Sequence, residues 1–248
     1  MSTIYILWLR QIKRYSRSRA RIVGSLGQPL LFLVALGFGF GPIYAKAGGG
    51  NYIQFLAPGI IAMSILFTAV FSGIEIIWDK QFGFLKETLV APVRRINIMI
   101  GRTLGGATVA LGQGAVVLIL ASLVGFRIEN YSYLPIAIIF MFLIALFFTG
   151  LGTAIASLLE DMQGFQLIMN FLVMPIFFLS GALFPLDNLP KAINVVAAVN
   201  PLSYGVDGLR GAFISETHFG FSLDFMVLFA ITFLILIIGS YLFSRIEI

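Results

Sequence analysis

Six stretches of this chain are long, apolar and nearly free of charge: residues 22–45, 53–74, 98–126, 132–159, 162–186 and 225–244, interrupted only by Arg102 in the third. Each reaches or exceeds the about 20 residues that a helix needs to cross a hydrocarbon layer about 30 Å thick. Barrel strands would alternate polar and apolar residues over about ten positions, and these runs do not alternate. A helix satisfies its own backbone donors and acceptors where water is absent. The expected fold is therefore an all-α integral membrane protein with six transmembrane helices. Composition agrees, because 59% of the 248 residues are hydrophobic and 11% charged, too few polar groups to cover a water-exposed globule.

The chain has no cysteine and one histidine, which excludes disulfides, thiolate metal sites and a histidine-rich metal centre, so no metal is expected. Its net charge of +5 is a topology signal. With six spans, one side carries Arg10, Lys13, Arg14, Arg17, Arg19, Arg21, Lys80, Lys86, Arg94, Arg95, Arg102 and Arg245, and the other only Lys46, Arg127, Lys191 and Arg210. Basic residues beside spans are retained in the cytoplasm. Both termini and the segment around Glu87 are thus expected to be cytoplasmic, in a multi-pass protein of the cytoplasmic (inner) membrane. Clustering beside spans also speaks against a nucleic-acid partner.

Ala45-Lys46-Ala47 after an apolar run superficially matches a signal-peptidase site. The run is longer than the about 7–15 residues of a signal core and follows a long polar prefix, so cleavage is not expected. Within that prefix, residues 1–21, Ile4, Trp8, Ile12 and Tyr15 recur at helical spacing while Arg10, Lys13, Arg14 and Arg17 take the opposite face. This spacing predicts an amphipathic helix lying in the membrane interface, as an anchor or as a carrier of force from a cytoplasmic partner into the first span. Small residues crowd spans one, three and four; Gly101 and Gly105 form a GxxxG, a pattern of close helix packing and of dimerisation. Pro58 and Pro175 are positioned to kink their helices. Glu75 is the one acid inside a candidate span. An intramembrane carboxylate is a functional candidate, for a proton relay or a substrate contact, but here snorkelling to the interface or pairing with Lys80 competes with that role.

Two polar segments are more specific. Within residues 79–97, Leu85, Leu89 and Pro92 can share one face of a short helix, with Lys86 and Glu87 beside it; that face requires either a protein partner or the lipid surface. Residues 185–222 hold two helix starts, one near Pro190 and a strong one at Asn200-Pro201. The helices they open, 189–198 and 201–213, are too short to span and too apolar to float, and are expected to re-enter the outer leaflet.

On these residues the chain resembles the membrane subunit of type-2 ABC exporters. The resemblance covers nearly the whole length as a single domain, 1–248, and rests on Gln28-Pro29, on Trp78-Asp79 with Gly83-Phe84-Leu85-Lys86-Glu87 and Ala91-Pro92-Val93, on Leu189-Pro190, and on Asn200-Pro201-Leu202-Ser203-Tyr204 through Asp207-Gly208-Leu209-Arg210. It implies that Gly83, Leu85, Lys86, Glu87, Leu89, Pro92 and Arg94 belong to a cytoplasmic coupling helix between spans two and three that docks on a separate ABC ATPase, present in two copies. It implies a second permease, in a homodimer, and an outer gate shaped by Pro190, Asn200, Pro201, Tyr204, Asp207 and Arg210. The match at 83–93 and 200–210 most resembles the daunorubicin-resistance type of multidrug permease, with lipid-linked polysaccharide exporters of the O-antigen or teichoic-acid type as the alternative. No GxxxxGK[ST] loop is present, so ATP and Mg2+ would be held by the partner ATPase, and this chain would carry no cofactor and be no enzyme.

A largely apolar interior suits a hydrophobic or amphiphilic cargo, drug or lipid-like, moved outward. Two other classes compete. An energy-independent channel or carrier would make the coupling segment a simple turn. An intramembrane hydrolase would have to pair Ser180 with His218, and Ser180 lacks the preceding glycine of a GxSG arrangement.

Overall fold

The computed structural model describes residues 2–85, 88, 93–186 and 190–246. Among them the secondary structure is α-helical apart from one 3-10 turn at Tyr131–Tyr133: α1 Thr3–Arg17, α2 Arg19–Lys46, α3 Tyr52–Phe71, α4 Ile74–Gln81, α5 Arg95–Val124, α6 Leu134–Leu158, α7 Met162–Phe178, α8 Lys191–Val199, α9 Pro201–Ile214 and α10 Phe221–Ser244. Local chemistry starts these helices where polar caps stand. Asn51 accepts the Ile53 amide at 3.0 Å, Asp161 the Gly164 amide at 2.5 Å, and Asn200 the Leu202 amide at 3.0 Å, each satisfying a donor that the first helical turn leaves open.

Among the described residues, five helical stretches are long and apolar enough to cross a membrane: α2, α3 continued by α4, α5, α6 with the turn before it, and α10. The sixth expected span departs from its predicted length. Helix α7 stops at Phe178 after 17 residues, about 25 Å of rise: Leu179 makes the last i→i−4 bond, to the Pro175 carbonyl at 3.0 Å, and Ser180 then bonds the nearer Phe177 carbonyl at 3.3 Å, which tightens the chain into a turn. The chain then folds against α3. A side chain at Gly59 would overlap the Ala182 carbonyl, so this turn reaches α3 only because residue 59 lacks a Cβ.

Helix α3 is the centre of the molecule, buried without a break from Phe55 to Leu66. Around it pack α2, α5, α6 and α9, and α10 lies outside on α6 and α9. The α3–α4 junction crosses α6 with backbones in contact: a Cβ at Gly73 would lie 2.5 Å from the Gly152 carbonyl oxygen, and one at Gly152 would overlap the Val70 carbonyl. Lipid offers no hydrophobic drive between helices, so close backbone approach is what holds such a crossing. The bundle has two polar ends. One gathers α1, α4 and the start of α5; the other gathers α8, α9 and the connections 47–51, 125–133 and 215–220.

Candidate functional site

At the first end, α1 lies on α5. A Cβ at Gly101 would come 2.9 Å from the Ile4 carbonyl oxygen and 3.0 Å from Leu7 Cβ, and one at Gly105 would come 2.6 Å from Gln11 Cβ. The Trp8 indole donates to Thr108 at 3.0 Å, and the Tyr15 hydroxyl donates to the Gln113 side-chain oxygen at 2.7 Å. These contacts advance in the same sense along both helices, so α1 runs parallel to the first half of α5. The GxxxG at Gly101 and Gly105, read from sequence as packing or dimerisation, is occupied by the protein's own first helix. Trp8 and Tyr15, expected on a lipid-facing side, are turned to α5.

The polar side of α1 also meets protein. Arg10 bridges Asp79 at 3.3 Å, and Arg102 of α5 bonds the other oxygen of the same carboxylate. Arg14 and Arg21 hold Glu75 at 3.5 and 3.0 Å, and the Arg14 guanidinium lies 5.2 Å from the Trp78 ring centroid. Glu75, Asp79 and Arg102 are only 6%, 4% and 4% exposed. Charges this far from water persist only when paired and hydrogen-bonded.

Lys80 is not the partner of Glu75. Residues five apart on a helix point to different faces, and Lys80 instead donates to the carbonyls of Ala156, Ser157 and Leu159 at 3.3, 2.9 and 3.0 Å, closing the end of α6, where carbonyls lack intrahelical donors. Sequence reasoning missed Arg102 as the buried partner of Asp79; its interruption of an otherwise uncharged run was the available signal.

Of the expected coupling residues, Lys86, Glu87, Leu89 and Pro92 lie outside the described residues. Gly83 has φ +79°, a left-handed conformation that favours glycine, and it turns the chain after α4. Leu85 packs into the protein's own core at 2% exposure, whereas its neighbours Phe82 and Phe84 stand out at 69% and 53%. Phe82 was not singled out in the sequence, and Phe84 entered only as part of the Gly83-to-Glu87 motif, with no role of its own. Arg94 is exposed and precedes α5. Arg95 donates to the carbonyls of Ser244 and Ile246 at 2.5 and 3.1 Å, tying the start of α5 to the end of α10.

At the other end the chain makes a hairpin. It is held at Leu183 by the Tyr52 hydroxyl, 2.7 Å from the Leu183 carbonyl, and passes through α8, which Pro190 precedes. It comes back to the bundle at Asn200, whose amide donates to the Ile176 carbonyl at 2.6 Å. Helix α9 then leaves along α6, buried from Leu202 to Ile214, with Gly205 against Ile144 and Gly208 against Phe140. Pro201 occupies its first turn, where its missing N–H costs no helix bond.

The polar side chains of α9 hold it in place. Tyr204 donates to the Ala198 carbonyl at 2.6 Å, and burial pushes its phenol pKa up, keeping it a donor. Asp207 accepts from the backbone amides of His218, at 2.8 and 2.9 Å, and of Phe219, at 2.8 Å. Arg210 donates to the Gly181 carbonyl at 3.1 Å, with its guanidinium 3.9 Å from the Phe55 ring centroid. Asn200, Pro201, Tyr204, Asp207 and Arg210 are thus brought together on one short helix and its cap. Ser180 spends its hydroxyl proton on the Phe177 carbonyl at 2.7 Å. Asp224, completely buried in the first turn of α10, is a further acid that sequence reasoning passed over.

Residues 2–214 match the family model described as "ABC-2 type transporter". Nodulation protein J of Rhizobium leguminosarum bv. trifolii is 30% identical over 207 residues, covering 82% of this chain and 78% of its own. The ycf38 transport permease of Cyanophora paradoxa is 27% identical over 214 residues, covering 84% and 72%, and that of Pyropia yezoensis is 30% identical over 213 residues, covering 84% and 72%. The family match takes in α1 with the α5 glycines it lies on, the charged cluster of α4 and the whole of the buried α9. The chain belongs to the ABC-2 type transporter family.

Proposed function

We propose that this protein is the permease subunit of an ATP-driven exporter that moves a hydrophobic or amphiphilic cargo, drug-like or lipid-like, outward across the cytoplasmic membrane. Two copies of the chain form the path, and two copies of a separate ABC ATPase bind ATP and Mg2+ and drive it. The end carrying α1 and α4 is the cytoplasmic one, with both termini there, and the α8–α9 hairpin shapes the outer gate. The observation that carries the reading is the clamp of α1 onto α4 by Arg10–Asp79 and Arg14–Glu75. It attaches the start of the polar link 79–97 to both the first helix and α5. A push on Gly83 to Arg94 would therefore move α1, α4 and α5 together rather than bend a loop. Packed helices switch between discrete arrangements, so such a push can separate one copy from the other.

The test is to co-express the chain with its ATPase and replace Glu87 and Leu89 together by alanine. Co-purification of the ATPase and ATP-dependent cargo movement should both be lost while the permease stays folded in the membrane. Transport by the purified chain alone would overturn the reading in favour of a channel or carrier.

A further inference from the structure

The first end of the bundle carries more positive charge than its own acids use. Arg10, Arg14, Arg21 and Arg102 share Glu75 and Asp79. Lys13, Arg17 and Arg19 stand exposed beside them, and among the described residues none of the three pairs with an acid. The chain has sixteen basic and eleven acidic residues. Those seven basic residues and two acids account for its whole net charge of +5, because the remaining nine of each sign cancel.

The three unpaired cations gather at the joint between α1 and α2. Lys13 and Arg17, four residues apart on α1, share a face, and Arg19 opens α2 one residue past Ser18. Apolar surface flanks them. Ile6, seven residues before Lys13 on the same face of α1, is 52% exposed, and Val23 and Leu31 of α2 are 69% and 70% exposed. Val23, Gly27 and Leu31 follow Arg19 at four-residue spacing along a helix long and apolar enough to span, and the place where a Cβ would stand on Gly27 has nothing within 4 Å. A shallow apolar track therefore leads away from the cations. An acidic protein surface or a free phosphate would match the charge and leave that track in water, whereas a lipid with a net negative head satisfies both.

We propose that the α1–α2 corner is a docking surface for an anionic phospholipid, with its phosphate held by Lys13, Arg17 and Arg19 and one acyl chain laid along Val23, Gly27 and Leu31. Such a lipid is a resident of the membrane and not cargo. Its binding requires no ATPase, so this inference and the exporter reading fail separately.

The test uses the full chain in phosphatidylcholine nanodiscs that carry a trace of one of two photoreactive probes with identical acyl chains, a phosphatidylglycerol or a phosphatidylcholine. The phosphatidylglycerol should label residues 19–31 at least about tenfold more than the phosphatidylcholine, and that preference should shrink as sodium chloride is raised. Lys13→Gln, Arg17→Gln or Arg19→Gln alone should lower it about fivefold, and the three together should abolish it. Lys13→Arg with Arg17→Lys and Arg19→Lys should keep it, as should Arg127→Gln at the other end of the bundle. Equal labelling by the two probes, labelling confined to other residues, or an undiminished preference in the triple glutamine variant overturns the proposal. Displacement by inorganic phosphate beyond that by sodium chloride of equal ionic strength would make the corner a site for a free anion, and displacement by added ATPase would assign it to that protein; either result overturns the proposal too.

Discussion

Asp79 divides its two oxygens between an arginine that water can reach and one that it cannot. Arg10 is 41% exposed along its side chain and Arg102 only 4%, so the two halves of one carboxylate differ in worth. An exposed pair contributes about 0–1 kcal/mol because solvent screens it and two long side chains must be held. Removing one partner of a buried pair leaves an uncompensated charge and costs about 3–5 kcal/mol. Arg10→Ala should therefore change unfolding in detergent by at most about 1 kcal/mol, with the difference shrinking as salt is raised. Asp79→Asn should lower stability by about 3–5 kcal/mol and should do so at any salt concentration. Denaturant titration of both variants at low and high salt measures this. Equal effects for the two would mean that Arg102 finds another partner.

At the scale of whole helices, the decisive contact is α1 against the glycines of α5. Gly105→Leu forces a branched side chain into Gln11 and the Trp8 carbonyl, whose oxygen stands 3.3 Å from the ideal Cβ, and overpacking of this kind costs about 1–3 kcal/mol. Gly112→Leu, on the same helix with nothing within 4 Å, should cost nothing comparable. Since the chain lacks cysteine, a single cysteine at Ile4 can report the outcome: maleimide should reach it faster in Gly105→Leu and at the original rate in Gly112→Leu.

This pair of glycines also marks how far sequence carries. Helix α1 was legible from the spacing of Ile4, Trp8, Ile12 and Tyr15, and α9 from Asn200-Pro201, because caps and periodicity are local. Which surface Gly101 and Gly105 would receive was not legible, since a small-residue stripe fits any helix. The early end of α7 depends on Gly59 across the bundle, and Lys80 bonds carbonyls more than 70 residues away; neither partner leaves a trace near the residue it governs. Of the candidate site, the helix holding Asn200 to Arg210 was readable as a unit, but the inward burial of Leu85 beside exposed Phe82 and Phe84 depends on how α4 meets the core.

For the whole molecule, the question is which parts would move together under the proposal that an ATPase works on the first end. Helices α1 and α5 are joined by close backbone approach at Gly101 and Gly105, and both are tied to Asp79 of α4. Helix α5 is joined in turn to α10 through Arg95. A block fastened at so many points has one low-energy arrangement, and motion is left to weaker boundaries. The boundary between α1 and α2 is the obvious one: Ser18 interrupts the helix there, and a cavity opens between them. A cross-link inside the block should therefore be harmless. Leu7→Cys with Gly101→Cys places two Cβ atoms about 3.0 Å apart, slightly inside the about 3.5–4.5 Å that a disulfide spans, so the bond needs only a small shift. Oxidation should leave ATP-driven transport within about twofold of the reduced protein, a difference below about 0.5 kcal/mol in the barrier. A fall of tenfold or more, reversed by reductant, would show that α1 slides on α5 during the cycle, and the stroke would then have to pass through α4 alone.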